Sequence, residues 1–99
     1  MKKIYRITKQ HIGKMFKYHS GGIVIYEYIC GADDDTYKYL GYWIEKGKAP
    51  RIFKCDAAIC NPKMGHWEPV SRLELAVMAP KLLEQIRAIE DGTQDTNSM

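Results

Sequence analysis

The 99-residue sequence contains no stretch near the ~18 consecutive apolar residues that a membrane-spanning helix needs. Its beginning, Met1-Lys2-Lys3-Ile4-Tyr5-Arg6, lacks the apolar centre of a secretory signal, so a cytoplasmic protein without a membrane partner is expected. Only three cysteines occur, Cys30, Cys55 and Cys60. An odd number in such a chain argues against a disulfide framework and for free thiols in a reducing compartment. The one metal-like spacing, Cys55-x4-Cys60-x5-His66, falls short of the four ligands and tight spacers of a structural zinc site, so no metal is assigned. Cys30 and Cys55 read instead as small buried residues. Glycine-rich phosphate loops are missing too, because Gly21-Gly22 has neither the following helix nor the lysine. His11, His19 and His66 have no fixed serine or aspartate neighbour, and Asp33-Asp34-Asp35 lacks the spaced ligands and glycine of a calcium loop. These absences leave no catalytic constellation; neither an enzyme nor a cofactor is expected.

What remains is a globular composition: 45% apolar, 27% charged and 11% aromatic residues exclude a wholly disordered chain and fit one domain. The formal charge of +3 conceals segregation. Residues 1–20 carry six bases and no acid, 21–37 four acids and no base, 38–63 six bases and two acids, and the remainder has a net charge of −3. Opposite blocks are expected to fold together, leaving part of the amino-terminal block as a basic patch or a solvated face.

Lys3 to Thr8 alternates as a short strand does. Residues 9–18 fit either a helix capped by Thr8 or a strand from Lys14 to Tyr18 turning through Gly21-Gly22; the strand is favoured. Ile23 to Cys30 and Tyr37 to Lys46 are β-branched and aromatic runs separated by a polar loop, and they predict an antiparallel hairpin. Arg51 to Asp56 reads as another strand. Leu75, Met78, Leu82, Ile86 and Ile89 recur at helical spacing, with Asp91-Gly92 closing the helix and Pro80 marking a kink or restart near Ala79. The expected fold is α+β, a small antiparallel meander of three to five strands covered by a carboxy-terminal α-helix. Residues 1–90 form the domain and 91–99 a disordered tail.

The run Leu75-Ala76-Val77-Met78-Ala79-Pro80-Lys81-Leu82-Leu83-Glu84-Gln85-Ile86 resembles the closing helix of short, uncharacterised bacteriophage proteins that end in a pattern close to L-I-A-A-A-P-E-L-L-E-A-L. Leu75, Ala79, Pro80, Leu82, Leu83 and Glu84 match by type, whereas Val77, Met78 and Lys81 depart from the pattern. The resemblance covers about twelve residues. It implies a phage or prophage origin, with the host cytoplasm as location, and a helix lying as a lid on a small antiparallel sheet.

Tyr26 and Tyr28 share one face of their strand, while Tyr37, Tyr39 and Trp43 share one face of the next. A hairpin apolar on both sides with one covering helix leaves aromatic surface over. Tyrosine facing water is the plain reading. Two functional readings use Tyr37, Lys38, Tyr39, Trp43, Lys46, Lys48 and Arg51 as a binding surface: the centre of an interface with a host protein, or a platform that stacks bases while the basic residues meet phosphates of a nucleic acid. The first is preferred, as a phage accessory protein that inhibits or redirects a host protein, such as a component of host defence. A symmetric homodimer burying edge strands is also expected.

Overall fold

The computed structural model describes residues 3–33, 35–58 and 65–92. Among them, five strands form one antiparallel sheet: β1 (Met15–Ser20), β2 (Ile23–Ala32), β3 (Thr36–Glu45), β4 (Arg51–Ala58) and β5 (His66–Pro69). The spatial order is β4-β3-β2-β1-β5, a four-strand meander to which the short β5 is added beside β1. Two helices follow, α1 (Arg72–Met78) and α2 (Pro80–Glu90). The α+β class and the antiparallel sheet agree with the sequence. No helix among the described residues is long and apolar enough to cross a membrane.

β1 and β2 are joined through Gly21, whose φ of 60° suits glycine in this tight turn. The expected strand at Lys14–Tyr18 is therefore present, shifted to Met15–Ser20; Lys9–His11 forms a single 3₁₀ turn in which the Thr8 amide donates to His11 Nδ1 at 2.9 Å. The strand expected at Lys3–Thr8 is reduced to one bridge, Ile4 to Trp67. Ile4 exchanges both backbone bonds with Trp67, at 2.7 and 2.8 Å, and so covers the outer side of β5; the chain then turns inward to bury Ile7 completely. β5 itself had no counterpart in the sequence reading. At the other edge, β4 exposes Arg51, Lys54 and Asp56, charges that disfavour pairing with a further strand.

Ser71 caps α1 by accepting from the Glu74 amide at 3.1 Å. At Ala79 the chain leaves helical geometry, with φ −145° and ψ 58°, and Pro80 takes the first position of α2, where its missing N–H leaves no bond unmade. Of the kink and the restart expected at Pro80, the chain takes the restart, and the carboxy-terminal helix is two. Arg72 at the start of α1 pairs with Glu90 at the end of α2. Leu75, Ala79, Leu82, Leu83 and Ile86 pack on Tyr26, Tyr28 and Leu40, which alternation places on one face of β2 and β3. Lys17 and Tyr26 both reach Glu74 at 2.9 Å and fix α1 over β1 and β2. Met78, half of whose surface is exposed, lies outside the stripe. Asp91 and Gly92 end α2 as expected; the remainder of the expected disordered tail, 93–99, lies outside the described residues.

The opposite face has a second core of Ile7, Phe16, Ile29, Tyr37, Tyr39 and Trp67. Three strand spacings separate β5 from β3, about 14 Å in a flat sheet. Trp67 and Tyr37 nevertheless meet edge to face at 6.1 Å between ring centroids, so the sheet curls on itself. Leu82 has no exposed surface and Glu84 is exposed on the same helix. Leu82→Ala is expected to cost roughly 2–5 kcal/mol, lowering the unfolding midpoint by roughly 10 °C or more, whereas Glu84→Ala changes it little. Thermal unfolding of both variants beside the parent checks this, and equal midpoints would remove α2 from the core.

Candidate functional site

Inside the curl lies a cavity of about 160 Å³ to which every strand contributes: Tyr18 from β1, Ile25 and Glu27 from β2, Tyr37 and Tyr39 from β3, Ala57 from β4 and Trp67 from β5. Strand alternation explains the set. Residues 25, 27 and 29 of β2 share the concave face with 37 and 39 of β3, and Glu27 is the single charged side chain on that part of β2. Tyr37 and Tyr39 stack at 5.3 Å, and Tyr18 lies tilted against Trp67 at 4.8 Å. Phe53 approaches Tyr39 edge-on at 5.7 Å and fills the space over Gly41, its cross-strand partner, where a Cβ would fall 2.6 Å from the ring.

Glu27 is 2% exposed. Its Oε1 accepts a hydrogen bond from Trp67 Nε1 at 2.9 Å, and among the described residues no lysine, arginine or histidine forms an ion pair with it. Burial pushes the carboxyl up to about 8, opposed only by the indole bond, so at neutral pH the carboxyl is mostly protonated. The Tyr37 and Tyr39 hydroxyls are raised as well, first by burial and then by the neighbouring Glu27 charge. A buried acid without a cation is costly to ionise, and groups shifted in this way concentrate at binding and reaction sites.

The residues expected to form one surface are divided by the fold. Tyr37 and Tyr39 are walls of the cavity, 3% and 8% exposed, and cannot stack bases as they stand. The aromatic face expected to lack an intramolecular partner is instead covered by the curl, by Trp67 and by Ile4 and Ile7. Trp43 lies farther along the same face, half-buried, with the Arg51 guanidinium 5.0 Å above its ring and its Nε1 donating to Glu45 at 3.0 Å. Lys48 reaches Glu45 at 3.4 Å, and Lys46 is exposed in the adjoining turn. Lys38 projects from the opposite face.

Tyr18, Glu27 and Trp67 were not singled out from the sequence. The signal for Glu27 was present: one acid inside Ile23 to Cys30, at even spacing from Ile25 and Ile29. Of the Cys55, Cys60 and His66 spacing, Cys60 lies outside the described residues, and Cys55 Sγ contacts the Asp56 carbonyl at 3.3 Å. A wider hollow of about 470 Å³, between the 3₁₀ turn and the start of β1, contains no buried charge among its lining residues. No protein-family model, curated protein or solved structure matches the chain.

The raised Glu27 carboxyl has a stability consequence of definite sign. Its folded value of about 8 exceeds the unfolded value of about 4.3, so the folded chain holds the extra proton between these limits. The stabilisation from the protonated form is fully present below pH ~4 and is lost as pH rises through about 8, with a slope of up to about 1.4 kcal/mol per pH unit. Glu27→Gln keeps an acceptor for Trp67 and removes the titration. The variant is expected to gain stability over the parent steadily from pH 5 to 8, measured by denaturant unfolding; a constant difference over that range would contradict the placement of Glu27.

Proposed function

We propose that the chain is a binding module, not an enzyme, and that it docks on a protein by taking a lysine-type ammonium group of that protein into the Glu27 cavity. The observation that carries this reading is a buried carboxylate with no cationic partner among the described residues, surrounded by Tyr18, Tyr37, Tyr39 and Trp67. Aromatic faces attract a desolvated cation, and the carboxylate supplies the opposite charge. Size supports a single side-chain end: about 160 Å³ is close to the ~150 Å³ cavity that holds one benzene. Trp67 already occupies Oε1, which leaves Oε2 for the ligand; a guanidinium would want both oxygens, whereas an ammonium needs one.

The phage-like closing helix supports a partner from the bacterial host, with the host protein blocked or redirected on docking, as an inhibitor of host defence would do. The nucleic-acid reading retains the Trp43, Arg51, Lys46 and Lys48 group, because Arg51 over Trp43 is a basic and aromatic surface. It is weaker, since the Trp43 face is taken by Arg51 and the two tyrosines are buried.

The ammonium reading is tested with n-butylammonium and neutral 1-butanol, followed through the Trp67 indole N–H resonance. The ammonium is expected to shift that resonance, release close to one proton at neutral pH, and bind about tenfold more tightly per pH unit from 5 to 7, levelling off near 8. Glu27→Gln should abolish the preference for the cation. Equal responses to the ammonium and the alcohol would sink the reading. Single-stranded DNA binding whose logarithm falls steeply with log salt would favour the alternative.

A further inference from the structure

On the face opposite the cavity, β1 and β5 bring together three groups outside the docking argument. His19 and His66 are direct cross-strand partners, and their imidazoles stack at 5.1 Å between centroids with planes 23° apart. Glu68 lies two residues beyond His66, and therefore on the same face of β5. Its Oε1 is 2.8 Å from His19 Nε2 and its Oε2 is 3.9 Å from His66 Nε2. One ligand atom from each residue lies within 4.8 Å of the other two. Lys17, the cross-strand partner of Glu68, is held by Glu74 at 2.9 Å, so its charge is committed to a neighbouring pair.

We propose that His19, His66 and Glu68 bind a divalent transition-metal ion, zinc by preference, with the fourth position open. Zinc takes nitrogen and carboxylate oxygen at about 2.0–2.2 Å in a tetrahedron, which sets ligand atoms about 3.3 Å apart. One edge of the set, His19 to Glu68, is 2.8 Å and all three ligand atoms lie within 4.8 Å of one another, a difference from that spacing that rotation of the side chains would supply. Two imidazoles and one carboxylate suit zinc better than magnesium or calcium, which prefer all-oxygen sets. Half-burial of all three side chains limits their freedom while leaving a path for the ion and for a fourth ligand, either water or a donor from another protein. The ion would tie the four-residue β5 to β1. Trp67, between His66 and Glu68, projects to the other face, so the same clamp would hold one wall of the cavity; the metal site does not depend on what that cavity binds.

The test titrates zinc into the untagged, chelator-treated 99-residue chain by calorimetry and repeats the binding with cobalt to read the ligand type. Expected are one equivalent bound, a zinc-dependent rise in the unfolding midpoint, and a cobalt spectrum without a thiolate charge-transfer band. Glu68→Gln and His19→Gln should each weaken zinc by at least about a hundredfold, since loss of a direct ligand exceeds the 10–100-fold effect of outer partners. The parent and both variants are compared without zinc by circular dichroism, so that a folding defect is separated from lost ligation. No saturable zinc binding by the folded parent would overturn the proposal. So would binding that survives both variants or shows a thiolate band removed by Cys55→Ser or Cys60→Ser.

Discussion

The hydrogen bond from Trp67 Nε1 to Glu27 joins β5 to β2 across the inside of the curl, over the top of β1. It fixes how tightly the sheet can close. A flat sheet would leave Trp67 far from β3 and expose Tyr37 and Tyr39; the closed one buries both and encloses the cavity. The bond also meets a need of the carboxyl, because a buried acid without a donor is costlier than one with a donor. Curl, cavity and the state of Glu27 therefore depend on one another. The two-way backbone bond between Ile4 and Trp67 steadies the outer side of the same short strand.

The two faces of the sheet divide the work. The helix face is built for stability: Leu75, Leu82 and Ile86 have no exposed surface, and its polar contacts, Lys17 and Tyr26 with Glu74, are short and complete. The concave face gives some stability up. A leucine or methionine at position 27 would remove the titration penalty but leave the buried Trp67 indole N–H without its acceptor. On the docking proposal the acid has a second use beside accepting from Trp67: ionisation, unfavourable in the empty cavity, would become favourable with a cation present, linking ligand entry to proton release.

Much of the architecture was legible because it is written locally. Gly21-Gly22 marks a tight turn, Pro80 can sit comfortably only at the start of a helix, and alternation correctly assigned Tyr37, Tyr39 and Trp43 to one face. What alternation does not say is how that face is covered. The curl arises from contacts among residues as distant as Ile7, Tyr37 and Trp67, and no window of sequence contains them together. β5 escaped notice because four residues ending in proline give too short a period to detect. With β5 unread, Trp67 could not be set against Glu27, nor His66 and Glu68 against His19. Glu27 was the exception, an acid in an apolar run that local reasoning could have marked.

Under the docking proposal, the shape of the cavity constrains what a partner would present. Its walls are side chains of five strands, fixed by the sheet rather than by mobile loops, so the fit is set before binding and little ordering is required. On that proposal, a cavity that holds one side-chain end would require the partner to project a long, flexible cation, which lysine provides through its four-carbon stem. Contacts around the rim would then supply the remaining affinity, since one buried cation cannot carry a whole interface. Arg51 over Trp43 on the same face, with Lys46 and Lys48 in the adjoining turn, outweighs Glu45 in charge, so a partner that reached both would carry its lysine beside acidic residues. Such a mixed pattern would be more selective than a uniformly basic surface, because a purely basic protein would be repelled at the rim and a purely acidic one would leave Glu27 unmatched.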